Sequence, residues 1–287
     1  MPFAPRPHVE LVHTLDMPAK EVKLPGADRP ARLITLSESP VNKAISAVLD
    51  LPPGWTRERG ANPDTFVEHY LLSGDLKVGG LQVLPHHYYR TAESTAAGPW
   101  STTHGARVLY FTEGDPMAWQ KVTTPGDDIN EGVTYIDTNK VPWGDIFVAG
   151  PPSDGAKLMI KLLYMDAKSK AYTRLILAQP GWKDHRTAHH PVVEEAYTIE
   201  GHMDYNFGGL EVDTYFYRPP RVKHGFFVAY PAGTVWIIRS DGVLENIYTE
   251  PDGTPVNWTP GTDRAPIPVQ GQPVRSRRAG PWDGRGR

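Results

Sequence analysis

The sequence predicts an all-β protein built from two copies of one strand-rich unit. Its 287 residues include 29 prolines and 27 glycines spread along the chain, which interrupt long helices and call for frequent turns. Between the turns lie short runs rich in β-branched and aromatic side chains, each of strand length. The chain also repeats itself with a period of about 127 residues, too long for a solenoid and therefore the mark of a duplicated domain.

Taken in order, the strand-like runs of the first copy are RLITLSE (32–38), AISAVLDL (44–51), EHYLLSG (68–74) and ARVLYFTEG (106–114). Those of the second are KLMIKLLYM (157–165), AYTRLILA (171–178), EEAYTIEG (194–201), EVDTYFYR (211–218), GFFVAY (225–230) and GTVWIIRSDG (233–242). KAISAVLDLPPGWTRERGANPDTFVEHYLLSG, from Lys43, aligns without a gap on KAYTRLILAQPGWKDHRTAHHPVVEEAYTIEG, from Lys170, with ten of 32 positions identical. The match continues through GGLQVLPHHYYR against GGLEVDTYFYR, and then THGARVLYF against KHGFFVAY, which sets His104 opposite His224. The expected division is an N-terminal barrel-like domain over 1–125, a C-terminal one over 126–255, and a Pro/Gly/Arg-rich tail over 256–287. Pro116–Ser153, rich in Gly, Pro and Asp, reads as the connector, and TAESTAAG is an insert of the first copy.

Charge and composition remove several function classes. Lys plus Arg total 30 against 33 Asp plus Glu, without the dense basic field that nucleic acid demands. The arginines of the tail, from Arg275 to Arg287, read as a solvated end. No apolar run is long enough to span a bilayer and the N-terminus lacks a signal-peptide pattern, so no membrane role and a cytoplasmic location are expected. There are no cysteines, so any transition metal must be held by His, Asp or Glu.

Duplication makes the sequence its own control, because packing residues should recur while a site can survive in one copy. Trp55 and Trp182, Tyr70 and Tyr197, and Gly74 and Gly201 recur and are assigned to architecture. His189 and His190 stand where the first copy has Asn62 and Pro63, and Glu194 stands where it has Val67. Glu68 and Glu195 recur, which gives Glu195 either a structural or a ligand role. Strand alternation separates the two glutamates, with Glu194, Ala196 and Thr198 on one face and Glu195, Tyr197 and Ile199 on the other.

AHHPVVEEAYTIEG, followed after a Gly-Gly hairpin by YRPPRVKHGFF, resembles the two motifs of the cupin superfamily, in particular its ChrR-like members. The resemblance implies two tandem jelly-roll barrels, a bicupin, with a divalent metal in the mouth of the second and a metal-free first barrel. Carried over residue by residue, it implies His190, Glu194 and His224 as ligands. The first motif histidine falls on Ala188, so either His189 slides in as a ligand or the set has three members. Glu194 is preferred to Glu195 on the family spacing.

Two His and one carboxylate leave positions open for substrate and oxygen, which favours Fe(II), with Zn or Mn as alternatives. The expected function is an Fe(II) dioxygenase that cleaves a C–C bond in a small aromatic or diketone-like substrate. The alternatives are a Zn/Mn lyase, isomerase or hydrolase and a non-catalytic small-molecule sensor. Tyr205, Phe207, Tyr215, Tyr217, Phe226, Phe227 and Trp236 are expected around the mouth, with Arg218, Arg221 and Lys223 able to orient an acidic group. The resemblance also implies association as a homodimer.

Overall fold

A computed structural model describes residues 3–126, 129, 131–146, 155–229, 231 and 233–249. The tail 256–287 lies outside the described residues. The described chain is almost entirely strand, as its turn-rich composition predicts. Two short 3-10 turns, Thr14–Asp16 and Thr138–Lys140, are its helical elements among the described residues.

The two copies share one strand plan. In the first, Ala106–Thr112 lies between Ile45–Leu51 and Val67–Gly74. In the second, Thr234–Ser240 lies between Tyr172–Ala178 and Glu194–Tyr205. Gly74 and Gly201 recur for a steric reason. Their φ values are +85° and +77°, and a Cβ would lie 2.0 Å from the carbonyl oxygens of Gly105 and Gly233 respectively.

That equivalence corrects one part of the sequence alignment. Gly105 matches Gly233, so His104 stands at the head of the central strand and is not the counterpart of His224. A shared His-Gly pair misled the alignment where the copies differ in loop length. His104 is an exposed loop residue bonded to Asp75 (3.1 Å).

The halves exchange their opening strands. Val9–His13, near the N-terminus, pairs with Thr214–Arg218 of the second copy. Val133–Asp137, which opens the second copy, pairs with His87–Thr91 of the first. Both opening strands run into a 3-10 turn capped by their last residue, His13 or Asp137. The repeat therefore reaches further upstream than residue identity shows.

Three apolar clusters follow from strand alternation. One fills the first barrel around Leu49, Trp55, Val108 and Tyr110. Another fills the second around Ile176, Trp182, Met203 and Trp236. The third lies between the barrels, where Val48, Tyr70, Leu109, Tyr197, Tyr215 and Ile237 meet.

Charged residues are buried beside that inter-barrel core. Arg239 donates from Nε to Glu68 (2.8 Å), from Nη1 to Glu195 (2.7 Å) and from Nη2 to Glu113 (3.1 Å). Arg6 reaches Glu113 at 2.9 Å and Glu195 at 3.6 Å. Hydroxyls complete the set: Tyr88 and Thr173 donate to Glu68, and Tyr215 and Ser46 donate to Glu195. Buried charges survive only when paired and hydrogen-bonded, and this group meets that condition.

Candidate metal centre

Strand ends deliver the candidate residues to one point. His190 directly follows the strand Lys183–His189, Glu194 opens Glu194–Tyr205, and His224 opens His224–Val228. All three are buried, and one ligand atom from each lies within 4.8 Å of the others. His190 Nε2 is 3.2 Å from His224 Nε2 and 3.7 Å from Glu194 Oε2, while His224 Nε2 is 3.2 Å from that same oxygen.

The far nitrogens are anchored. His190 Nδ1 lies 3.0 Å from the Glu245 carbonyl and His224 Nδ1 lies 3.1 Å from the Val222 carbonyl. A carbonyl only accepts, so each Nδ1 carries the proton and each Nε2 lone pair faces the centre. This second contact is the usual way a protein fixes a metal-ligating imidazole.

Arg218 holds the same carboxylate oxygen that faces the histidines. Arg218 donates from Nη1 to Glu194 Oε2 (2.7 Å) and bonds Glu10 through Nε and Nη2 at 2.9 and 2.8 Å. Glu10 also accepts from the Tyr205 hydroxyl. Burial alone would raise the Glu194 pKa, but His224 and Arg218 outweigh it and hold the carboxyl at about 2. Burial, aided by Arg218, pushes His224 down to about 3, so its imidazole is neutral at neutral pH. The centre presents one anionic oxygen and the neutral His224 imidazole, with His190 Nε2 beside them.

Of the two arrangements left open by the sequence, the geometry assembles the three-residue set and leaves His189 outside it. Adjacent residues leave a strand on opposite faces, so His189 cannot share the position of His190. Its Nδ1 is buried without a partner, and burial, His190, Lys223 and Arg221 lower its pKa. The same alternation sends Glu195 into the inter-barrel charge cluster, away from Glu194.

The expected aromatic mouth is corrected in part. Tyr205 and Trp236 line the second barrel and Phe227 packs against them. Tyr215 and Tyr217 instead belong to the inter-barrel core, because Phe216 takes the inward position on that strand. Arg218 is consumed by Glu194 and Glu10, whereas Arg221 and Lys223 are exposed.

The sequence reading missed Tyr172 and Arg174. Tyr172 pairs with Ser240 and Arg174 with Ile238 on the inward face of neighbouring strands. The Tyr172 hydroxyl, the Ser240 hydroxyl and Arg174 Nε lie buried together, with Ser240 and Arg174 turned toward the Tyr172 hydroxyl. Arg174 stacks on the Tyr172 ring at 4.2 Å and meets no carboxylate among the described residues. The available signal was the alternation of polar residues along AYTRLILA, at positions that hold Ile45 and Ala47 in the first copy.

Solved structures share this fold. A Nostoc punctiforme protein described as a "putative dioxygenase" matches with a TM-score of 0.73 at 19% identity, covering 84% of this chain and 87% of its own. An oxalate decarboxylase of Lactobacillus farciminis, solved as a formate complex, matches at 0.54 with 11% identity, covering 83% and 88%. A Bacillus subtilis oxalate decarboxylase variant matches at 0.50 with 15% identity, covering 83% and 78%. No curated protein matches the sequence. These likenesses show that the chain shares the all-β, jelly-roll fold of those proteins, and no described helix is long and apolar enough to cross a membrane. The match over residues 10–247 shows that the chain belongs to the family described as "Domain of unknown function (DUF4437)".

Proposed function

We propose that the chain is a metal-dependent cupin enzyme whose second barrel holds one Fe(II) through His190, Glu194 and His224 and oxidatively cleaves a small organic substrate. The observation that carries this reading is the convergence of two Nε2 lone pairs and one carboxylate oxygen, with both Nδ1 atoms anchored on carbonyls. Iron bound there would supply a redox-active centre with positions open to substrate and oxygen.

The remaining work falls to the chain. Arg218 and Glu10 fix the Glu194 carboxylate so that one oxygen faces the centre. Trp236, Phe227 and Ile238 line an apolar wall suited to an aromatic or diketone-like body and exclude water from it. Arg174, with no carboxylate partner, is placed to hold an acidic or enolate oxygen of that substrate, and the Tyr172 hydroxyl to donate a hydrogen bond to it.

Elemental analysis of the purified protein beside His190→Ala tests the reading. Iron near one per chain, lost in the variant, together with oxygen uptake on an aromatic or diketone panel, is the expected result. Zinc or manganese in its place rejects the oxygenase, and no metal in either protein rejects the centre.

A further inference from the structure

The opening strand Val9–His13 does more for the second barrel than extend its sheet. It pairs with Thr214–Arg218 through Val9 against Tyr217 and Val12 against Tyr215, so Glu10 and Leu11 together oppose the one residue Phe216. This is a β-bulge, which sets two consecutive residues where a regular strand would set one. Leu11 sits at φ +50°, a conformation non-glycine residues rarely adopt, and packs on the apolar core of the second barrel. Gly208 makes room for it, since a Cβ there would lie 2.6 Å from Leu11 Cδ2. The equivalent strand, Val133–Asp137, pairs with His87–Thr91 residue for residue, with Tyr135 alone opposite Tyr89. The bulge therefore belongs to the barrel with the candidate metal centre, where Leu11 fills the packing position and Glu10 reaches Arg218 beside it.

The Glu10 carboxylate answers a problem of charge. Arg218 donates to Glu194 Oε2 at 2.7 Å, and that same oxygen lies 3.2 Å from His224 Nε2. A divalent cation and a guanidinium thus compete for one oxygen, and Arg218 with Glu194 alone would offer the ion no net charge. Glu10 takes the other edge of the guanidinium, its Oε2 2.9 Å from Nε and its Oε1 2.8 Å from Nη2. The Tyr205 hydroxyl donates to Oε1 (2.5 Å), and His8 Nε2 lies 3.1 Å from Oε2. Burial would raise the Glu10 pKa, but Arg218, Tyr205 and His8 outweigh it and hold the group below 4.5, so it is ionised at neutral pH. Two carboxylates around one guanidinium leave one net negative charge beside the histidines.

We propose that Glu10 is a positioning residue of the metal centre that acts through Arg218: it neutralises the guanidinium, so that Glu194 keeps its negative charge for a divalent ion. This role rests on the reading of His190, Glu194 and His224 as ligands and is the same for any divalent metal they hold. Without Glu10, Arg218 is left with Glu194 as its one carboxylate among the described residues and opposes the ion by its own charge. Metal binding in the second barrel thereby depends on the opening strand that the first copy contributes.

Chelator competition on the metal-free full chain, with Fe(II) under anaerobic conditions and with Zn(II), tests the proposal. Glu10→Gln keeps the size and one acceptor oxygen but loses the charge, and its affinity for both ions should fall about tenfold or more. Glu10→Gln combined with Arg218→Gln removes the guanidinium as well and should bind more tightly than Glu10→Gln alone, which a merely structural role for Glu10 would not produce. Wild-type affinity in Glu10→Gln, or a double variant no tighter than the single one, overturns the proposal. If Glu10→Gln does not unfold cooperatively, Arg218→Gln set against the double variant carries the test. It retains the Glu10 charge and should bind about tenfold or more tightly than the double variant, and equal affinity overturns the proposal. Metal that fails to bind wild type overturns the centre itself and this role with it, whereas wild-type binding that Glu10→Gln leaves intact overturns the role of Glu10 alone.

Discussion

Glu68 and Glu195 occupy the same position in the two copies, and the single guanidinium of Arg239 bonds both of them, one from each barrel. Their supporting hydroxyls cross over: Thr173 of the second copy donates to Glu68, and Ser46 of the first donates to Glu195. Ser46 and Thr173 are themselves equivalent residues. The duplicated glutamate is thus a joint between barrels, which explains why it recurs while the candidate ligand beside it does not.

Arg239→Met should therefore destabilise the whole chain by roughly 3–5 kcal/mol, because three buried carboxylates lose a partner at once. Chemical denaturation at neutral pH measures this. A loss below about 1 kcal/mol would show that the joint is not a stability element.

Much of this was legible from two periods, 127 residues for the duplication and two for strand alternation. The first identified Tyr70, Tyr197, Gly74 and Gly201 as architecture, and the second separated Glu194 from Glu195. What escaped depended on which sheet a strand joins. The exchange of Val9–His13 and Val133–Asp137 leaves no trace in local propensity, and the fate of Tyr215 and Tyr217 turned on it. Arg174 escaped for another reason: only packing shows that a charged residue lacks its counter-ion among the described residues.

Metal retention should separate the histidines. His224→Ala is expected to lose bound metal, whereas His189→Ala and His104→Ala should retain it at the wild-type level, since neither shares the cluster. Parallel elemental analysis after dialysis decides this. Metal lost in His189→Ala would restore that residue to the ligand set, and metal lost in His104→Ala would mean the first barrel is not silent.

Arg218→Lys probes the support of the carboxylate. A lysine cannot bond Glu194 and Glu10 at once as the guanidinium fork does. Metal affinity should fall roughly 10–100-fold while the thermal transition stays cooperative, the usual consequence of losing a contact that orients a ligand. Competition with a chelator reads the affinity, and an unchanged value would make Arg218 a purely structural ion pair.

The metal-free protein should lose stability as the medium is acidified, and His224 gives the sign. Its pKa falls from the ordinary 6.5 to about 3 in the fold, so between those values the unfolded chain binds a proton that the native chain refuses. Stability then rises with pH across this window, by up to about 1.4 kcal/mol per unit from this one group. Glu194 acts in the same direction lower down: its pKa drops from 4.5 to about 2, so its contribution is intact above 4.5 and disappears as pH falls through 2. Over pH 4.5–6.5 the native Glu194 stays ionised, and comparison with a His224 variant separates this imidazole from His69, which burial also pushes down to about 3. Urea unfolding in the presence of chelator should show a steeper pH dependence for wild type than for His224→Asn across that range. Equal slopes would mean that the buried imidazole titrates normally, and the neutral state assigned to His224 would have to be abandoned.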